Sequence, residues 1–187
     1  DWIVGLLTAG VAPAAGEAEA QGSARIWVDG QPEYFRRGDR MNVNFSVSDD
    51  SYVAVVHIDT ERYLDFVFPA TPWDNEFVRA RGVHRISPRG SAGAWTVRGS
   101  PGIGYFYLIA SPDPLDFSYF RSRAGASWDW GYAGQFVRGD PFLALDQIAR
   151  MLLPGTPYPR YVFDYYSYYI DGVHRYPSYA CSSSSYY

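Results

Sequence analysis

The sequence predicts a mainly β protein: an antiparallel β-sandwich or partly open barrel, with one packed α-helix and a tyrosine-rich C-terminal hairpin or tail. Three observations carry that expectation. Apolar and polar residues alternate with a period of two over several short runs. Clusters of Gly, Pro and Asp separate those runs at short spacing. One stretch near residue 140 changes to a helical period.

The runs can be taken in order. Ala24, Ile26 and Val28 alternate with Arg25, Trp27 and Asp29. Met41, Val43, Phe45 and Val47 alternate with Asn42, Asn44, Ser46 and Ser48, the pattern of a half-buried strand. Ser51 to Asp59 is apolar on both faces and predicts a central strand; Gly102 to Ala110 does the same. Between them, Arg62 to Phe68 puts Leu64, Phe66 and Phe68 on one side. Arg37-Gly38-Asp39, Asp49-Asp50 and Asp59-Thr60-Glu61 are the turns. Asp140 is a natural N-cap and Pro141 suits the first helical position. Phe142, Leu145, Ile148, Ala149 and Leu152 then form one apolar stripe, stopped by Pro154-Gly155, so a helix over 140–153 should pack on the sheet. Tyr161 to Ile170 reads as a strand, Asp171-Gly172 as a hairpin turn, and Val173 to Tyr179 as a possible return.

Composition bounds the function. The 187 residues are 47% hydrophobic and 19% charged, which excludes wholesale disorder. A chain of this length buries a core without disulfides or metal. A net charge of −4 argues against a general nucleic-acid binder. One cysteine permits neither an internal disulfide nor a cysteine-rich zinc site. No apolar run reaches the ~18–20 residues of a membrane span. All 16 basic residues are arginine, first a mark of GC-rich coding and second a residue suited to planar interface contacts.

The chain divides into three parts: an apolar N-terminal segment over 1–22, a β-sandwich over 23–120, and an extension over 121–187. Trp2 to Ala15 is apolar, and Ala18-Glu19-Ala20 has the small-x-small form of a signal-peptidase site. It reads either as a cleaved secretory signal or as a retained segment needing a dry place to sit. The signal reading places the body outside the cytoplasm, and the expected location is periplasmic, membrane-associated or at the cell surface; a retained segment could pack on its own domain, on a partner or in the bilayer interface.

Four runs together resemble a known family: FRRGDR (Phe35–Arg40), SYVAVVHID (Ser51–Asp59), FVFP (Phe66–Pro69) and IASPDPLDF (Ile109–Phe117). Their order and spacing are similar to those of DUF4384, a bacterial domain of unknown function, over residues ~25–117. The resemblance implies an exported, sandwich-like β module. It implies no catalytic residues. A looser resemblance is to the extrinsic polypeptides that brace a bacterial reaction centre within its light-harvesting ring.

No constellation of side chains carries chemistry. His57, His84 and His174 share no ligand spacing, and His57 reads as a structural histidine in a central strand. Asp49, Asp50, Asp59 and Glu61 read as turn acids, because no calcium-loop signature surrounds them. There is no Gly-x-Ser-x-Gly elbow and no dinucleotide loop. Cys181 has no basic neighbour to activate it, and the Asn44-Phe45-Ser46 sequon lies inside a strand. The expectation is therefore no catalytic residue, no metal and no cofactor.

What remains are three groups suited to a partner. Trp2, Ile3, Leu6 and Leu7 are the apolar N-terminal candidates. Arg79, Arg81, Arg85 and Arg89 lie in a stretch without acids. Tyr165, Tyr166, Tyr168 and Tyr169 supply both faces of one strand, and they suit either an interface or the domain's own core. The expected function is non-enzymatic: an exported structural subunit that docks on a larger protein assembly, at a membrane surface, with neither nucleic acid nor a small-molecule substrate. One alternative is a filament subunit assembling by strand exchange. The other is a cell-wall glycan-binding domain, which predicts a concave pocket near His57, Trp73 or Trp95.

Overall fold

The computed structural model describes residues 22–88, 93–122, 127–131, 134–154 and 160–172. The N-terminal candidates Trp2, Ile3, Leu6 and Leu7, the basic candidate Arg89, the return strand over 173–179 and Cys181 lie outside the described residues.

Among the described residues, eleven strands and one α-helix follow in chain order. They are β1 (Ala24–Val28), β2 (Tyr34–Phe35), β3 (Arg40–Met41), β4 (Val43–Val47), β5 (Ser51–Ile58), β6 (Leu64–Phe68), β7 (Phe77–Val78), β8 (His84–Ile86), β9 (Trp95–Thr96), β10 (Gly102–Ser111), α1 (Pro141–Leu152) and β11 (Val162–Ile170). The central layer is a six-stranded sheet in the order β2-β11-β10-β5-β6, with β7 pairing the start of β5. A three-stranded sheet, β1-β4-β8, covers one face. The helix and an aromatic cluster cover part of the other. Strands β3 and β9 form a separate two-stranded ladder.

This is the sandwich-like architecture the alternation predicts, and it places β5 and β10 side by side at the centre. Each has core on both faces, which is why neither shows polar alternation. Val53, Val55, Phe106 and Leu108 face the three-stranded sheet and meet Ile26, Phe45 and Ile86. Ala54, Val56, Tyr107 and Ile109 face the helix and meet Leu145, Ile148, Ala149 and Leu152. Asp140 caps α1 as expected, accepting a hydrogen bond from the Phe142 amide at 2.8 Å, with Pro141 in the first turn.

Several expectations need correction. Phe68 does not share a side with Leu64 and Phe66. A bulge opposite Val55 and Val56 adds one residue to β6, so the face reverses and Phe68 packs on Phe45 in the other core. Phe142 does not complete the buried stripe of the helix; it sits at the margin, edge-on to Tyr105 and Tyr165. The central sheet is not wholly antiparallel, since β2 runs parallel to β11. The sequence boundary at 120/121 does not divide the fold either: β11 pairs with β10 along its whole length and is an inner strand of the sheet.

Exposed strand edges are covered locally. On β1 the outward Ile26 amide donates to the Asp164 carboxylate at 2.8 Å, fastening the small sheet to β11. On β6 the Leu64 amide donates to the Gln135 carbonyl, and Tyr63 pairs with Phe136 beyond it. These contacts occupy part of the free ladder of β1 and of β6.

Candidate functional site

The tyrosines of β11 divide by strand period. Odd-numbered side chains point to the helix side of the sheet and even-numbered ones to the opposite core. α1 covers only part of its side, so the outer part of β10 and β11 stays open. There Phe163 is 56% exposed, Tyr165 46% and Tyr169 39%, beside Tyr34 at 67% and Phe142 at 39%. The rings meet in separate groups. Tyr34 meets Tyr169 at 5.5 Å, Tyr165 meets Phe142 at 5.0 Å, and Phe163 stacks on Tyr107 at 5.5 Å between centroids. Ile103, the cross-strand partner of Tyr169, extends this face. At roughly 200 Å² per aromatic side chain, the five exposed rings offer about 500 Å².

The even-numbered tyrosines do something else, and here the partner assignment needs correction. Tyr168 is 3% exposed and belongs to the core. It lies across Gly104, its direct cross-strand partner, where no side chain stands in the way. That passage lets its hydroxyl reach His57 on β5, two strands away, with a hydrogen bond of 2.8 Å. Tyr166 is half-buried and donates to the Pro32 carbonyl at 2.6 Å. Burial, with Asp59 second, raises the Tyr168 pKa; burial, with Glu33 second, raises that of Tyr166. Both phenols therefore stay neutral across the physiological range.

His57 is stacked on Phe106 at 4.5 Å and lies 5.8 Å from Trp95. Burial lowers its pKa to about 4, so the ring is neutral at pH 7. Its Nε2 shares the hydrogen bond with Tyr168, and the ring floors a cleft of about 690 Å³. Trp95, Phe106 and Tyr168 complete the floor. Arg37 from the β2–β3 turn, Arg98 beyond β9, and Asp59 and Glu61 from the β5–β6 turn form the rim. Trp73 is elsewhere, exposed beneath the Arg121 guanidinium. The glycan-binding alternative expected a concave pocket near His57, Trp73 or Trp95, and this one lies at His57 and Trp95; the strand pattern of β10 did not show its lining, apart from the glycine at position 104 inside an otherwise bulky strand.

The arginines lie apart from the aromatic face. Arg85 projects from the outer side of β8 and pairs with Asp29 at 3.5 Å, while Arg79 and Arg81 are exposed in the connection leading to it. The three-stranded sheet and a core separate Arg85 from Tyr165, so one flat partner does not meet both.

The remaining acids serve their own turns. Asp59 accepts from the Glu61 and Tyr63 amides, and Asp50 from the Ala80 amide. Among the described residues no three His, Cys, Asp or Glu side chains converge, and no helix is long and apolar enough to cross a membrane.

Residues 34–114 match a protein family described as a domain of unknown function, DUF4384. The match runs from β2 through β10 and leaves out β1, α1 and β11. No curated protein and no solved structure matches the chain, and nothing in these comparisons bears on the looser likeness to extrinsic photosystem polypeptides.

Proposed function

We propose that this chain, which carries a DUF4384 domain at residues 34–114, is a non-enzymatic interaction subunit. It is exported, and it docks on a larger protein assembly at a membrane surface through the open half of its central sheet. The observation that carries the reading is the set of exposed rings, Tyr34, Tyr169, Tyr165, Phe142 and Phe163, on one side of β11 and its neighbours. Monomeric proteins rarely leave more than a few hundred Å² of contiguous apolar surface in water, and such patches mark contact sites. The ~500 Å² of ring surface compares with the ~800 Å² that a standard interface takes from each partner. Ile103 and neighbouring polar rim would supply much of the rest.

Tyrosine content favours a protein partner over lipid. Phenols offer large, stiff contact area while keeping a polar tip for hydrogen bonds. The arginines that would favour anionic head groups include Arg85 on the opposite layer. Export rests on the apolar segment Trp2 to Ala15 and the Ala18-Glu19-Ala20 site.

The test is the size of the native complex in mild detergent extracts. The wild-type chain should migrate with an assembly. Phe163→Ser with Tyr165→Ser should release it as a folded monomer, whereas Arg79→Gln, Arg81→Gln and Arg85→Gln together should leave it bound. A wild-type chain that extracts as a monomer without company contradicts the proposal.

A further inference from the structure

We propose that the cleft beside His57 binds a pyranose ring of a neutral saccharide. The site is separate from the docking face. It opens on the side of the sheet that carries Phe106 and Tyr168, whereas the exposed rings lie on the helix side.

The floor and the rim argue for the same ligand. Trp95 and His57 are the floor rings that remain partly exposed, and His57 is neutral. Flat aromatic surface without charge suits the C–H face of a sugar ring, which is apolar on its broad sides. The cleft of about 690 Å³ falls within the ~300–1,000 Å³ of small-molecule sites. Above the floor stand two guanidinium groups, Arg37 and Arg98, and two carboxylates, Asp59 and Glu61.

That rim selects by charge. Its formal charges cancel, so it offers no net attraction to an ion. A phosphate or other anion near the arginines also meets Asp59 and Glu61; an ammonium ion near the carboxylates also meets Arg37 and Arg98. A hydroxyl group suits both, because it donates to a carboxylate and accepts from a guanidinium at once. Adjacent hydroxyls on a ring also fit the planar fork of arginine.

On the acidic side of the rim, Asp59 Oδ1 already accepts two amides and Glu61 Oε1 the Ser100 hydroxyl, which leaves each carboxylate its second oxygen for a ligand. Neither Arg37 nor Arg98 forms an ion pair with a described residue. The fold fixes the floor. The Tyr168 hydroxyl holds His57, and the Trp95 indole N–H donates to the Ile86 carbonyl at 3.1 Å. Preformed aromatic surfaces of this kind avoid the ordering cost of binding.

The experiment titrates the full chain by calorimetry with three neutral trisaccharides: chitotriose, cellotriose and maltotriose. Inorganic phosphate and glycylglycine serve as the anionic and zwitterionic probes. The expected result is saturable binding of at least one trisaccharide at or below about 10 mM, weaker by at least about tenfold in Arg98→Ala and in Glu61→Gln. Both positions are exposed, so the variants should fold. Phe163→Ser with Tyr165→Ser should leave the affinity unchanged, which separates this site from the docking face. Three results would overturn the assignment: no saturable binding of any trisaccharide, equal affinity in Arg98→Ala and Glu61→Gln, or tighter binding of phosphate or glycylglycine.

Discussion

Replacing Gly104 with alanine should destabilise the protein, although alanine normally stiffens a chain to advantage. The reason is the ring that crosses this position. An alanine Cβ would fall inside van der Waals contact of Tyr168 Cζ and Oη, and 2.6 Å from Cε1. Tyr168 is buried and cannot swing into solvent without opening the core. Overpacking of this kind costs about 1–3 kcal/mol. Displacing the ring also breaks its 2.8 Å hydrogen bond to His57, worth about 1 kcal/mol. Loss of glycine freedom in the unfolded chain returns about 0.5–1 kcal/mol. The net loss is about 2–3 kcal/mol, or a fall in Tm of about 5–10 °C for a chain of this size. Urea denaturation of Gly104→Ala, Tyr168→Ala and the double variant measures it. In the Tyr168→Ala background the obstacle is gone, so Gly104→Ala should be neutral or slightly stabilising, a coupling of about 3 kcal/mol. Equal cost in both backgrounds, or no cost in the wild type, would refute the reasoning.

Other perturbations have defined outcomes. Burial lowers the His57 pKa from 6.5 to about 4, so the unfolded chain takes up a proton there first as pH falls. This stability is fully present above pH 6.5, declines as pH falls toward about 4, and changes no further below it. The decline is on the order of 3 kcal/mol; urea midpoints against pH should show it, and His57→Phe should remove that slope. Asp140→Ala deletes the cap on the Phe142 amide and should cost about 1 kcal/mol by urea denaturation. Arg85→Gln breaks an exposed pair with Asp29 and should shift stability by less than about 0.5 kcal/mol; a larger loss would mean that the pair organises the small sheet.

The sequence showed the layers better than the surfaces. Met41 to Val47 alternates because one side of β4 meets the core while its other side meets water or short polar bonds. Ser51 to Ile58 and Gly102 to Ser111 lack alternation because core lies on both sides, and that lack marked them as central. The cap of α1 was legible because Asp140-Pro141 satisfies a local rule that tertiary packing does not alter. Phe68 was misread because a bulge is invisible to a period-two count, yet it reverses every side chain beyond it.

The candidate site was legible only in part. Tyrosine on both faces of β11 was visible, but which face stays open depends on where α1 stops covering the sheet, a long-range fact. Tyr168 was assigned to a partner because nothing local says that its ring crosses Gly104 to His57. A pocket near His57 and Trp95 was expected only under the glycan-binding alternative, and its rim was unreadable for the same reason: Arg37, Asp59 and Arg98 converge on it from separate turns.

The docking face is tested most directly by site-specific photo-crosslinking in native membranes. A benzophenone side chain would replace Tyr165 on the open face in one variant, and Trp27 on the outer side of the three-stranded sheet in another. The account predicts one discrete heavier adduct from position 165 and none from position 27. No adduct from position 165, or the same adduct from both positions, would contradict it.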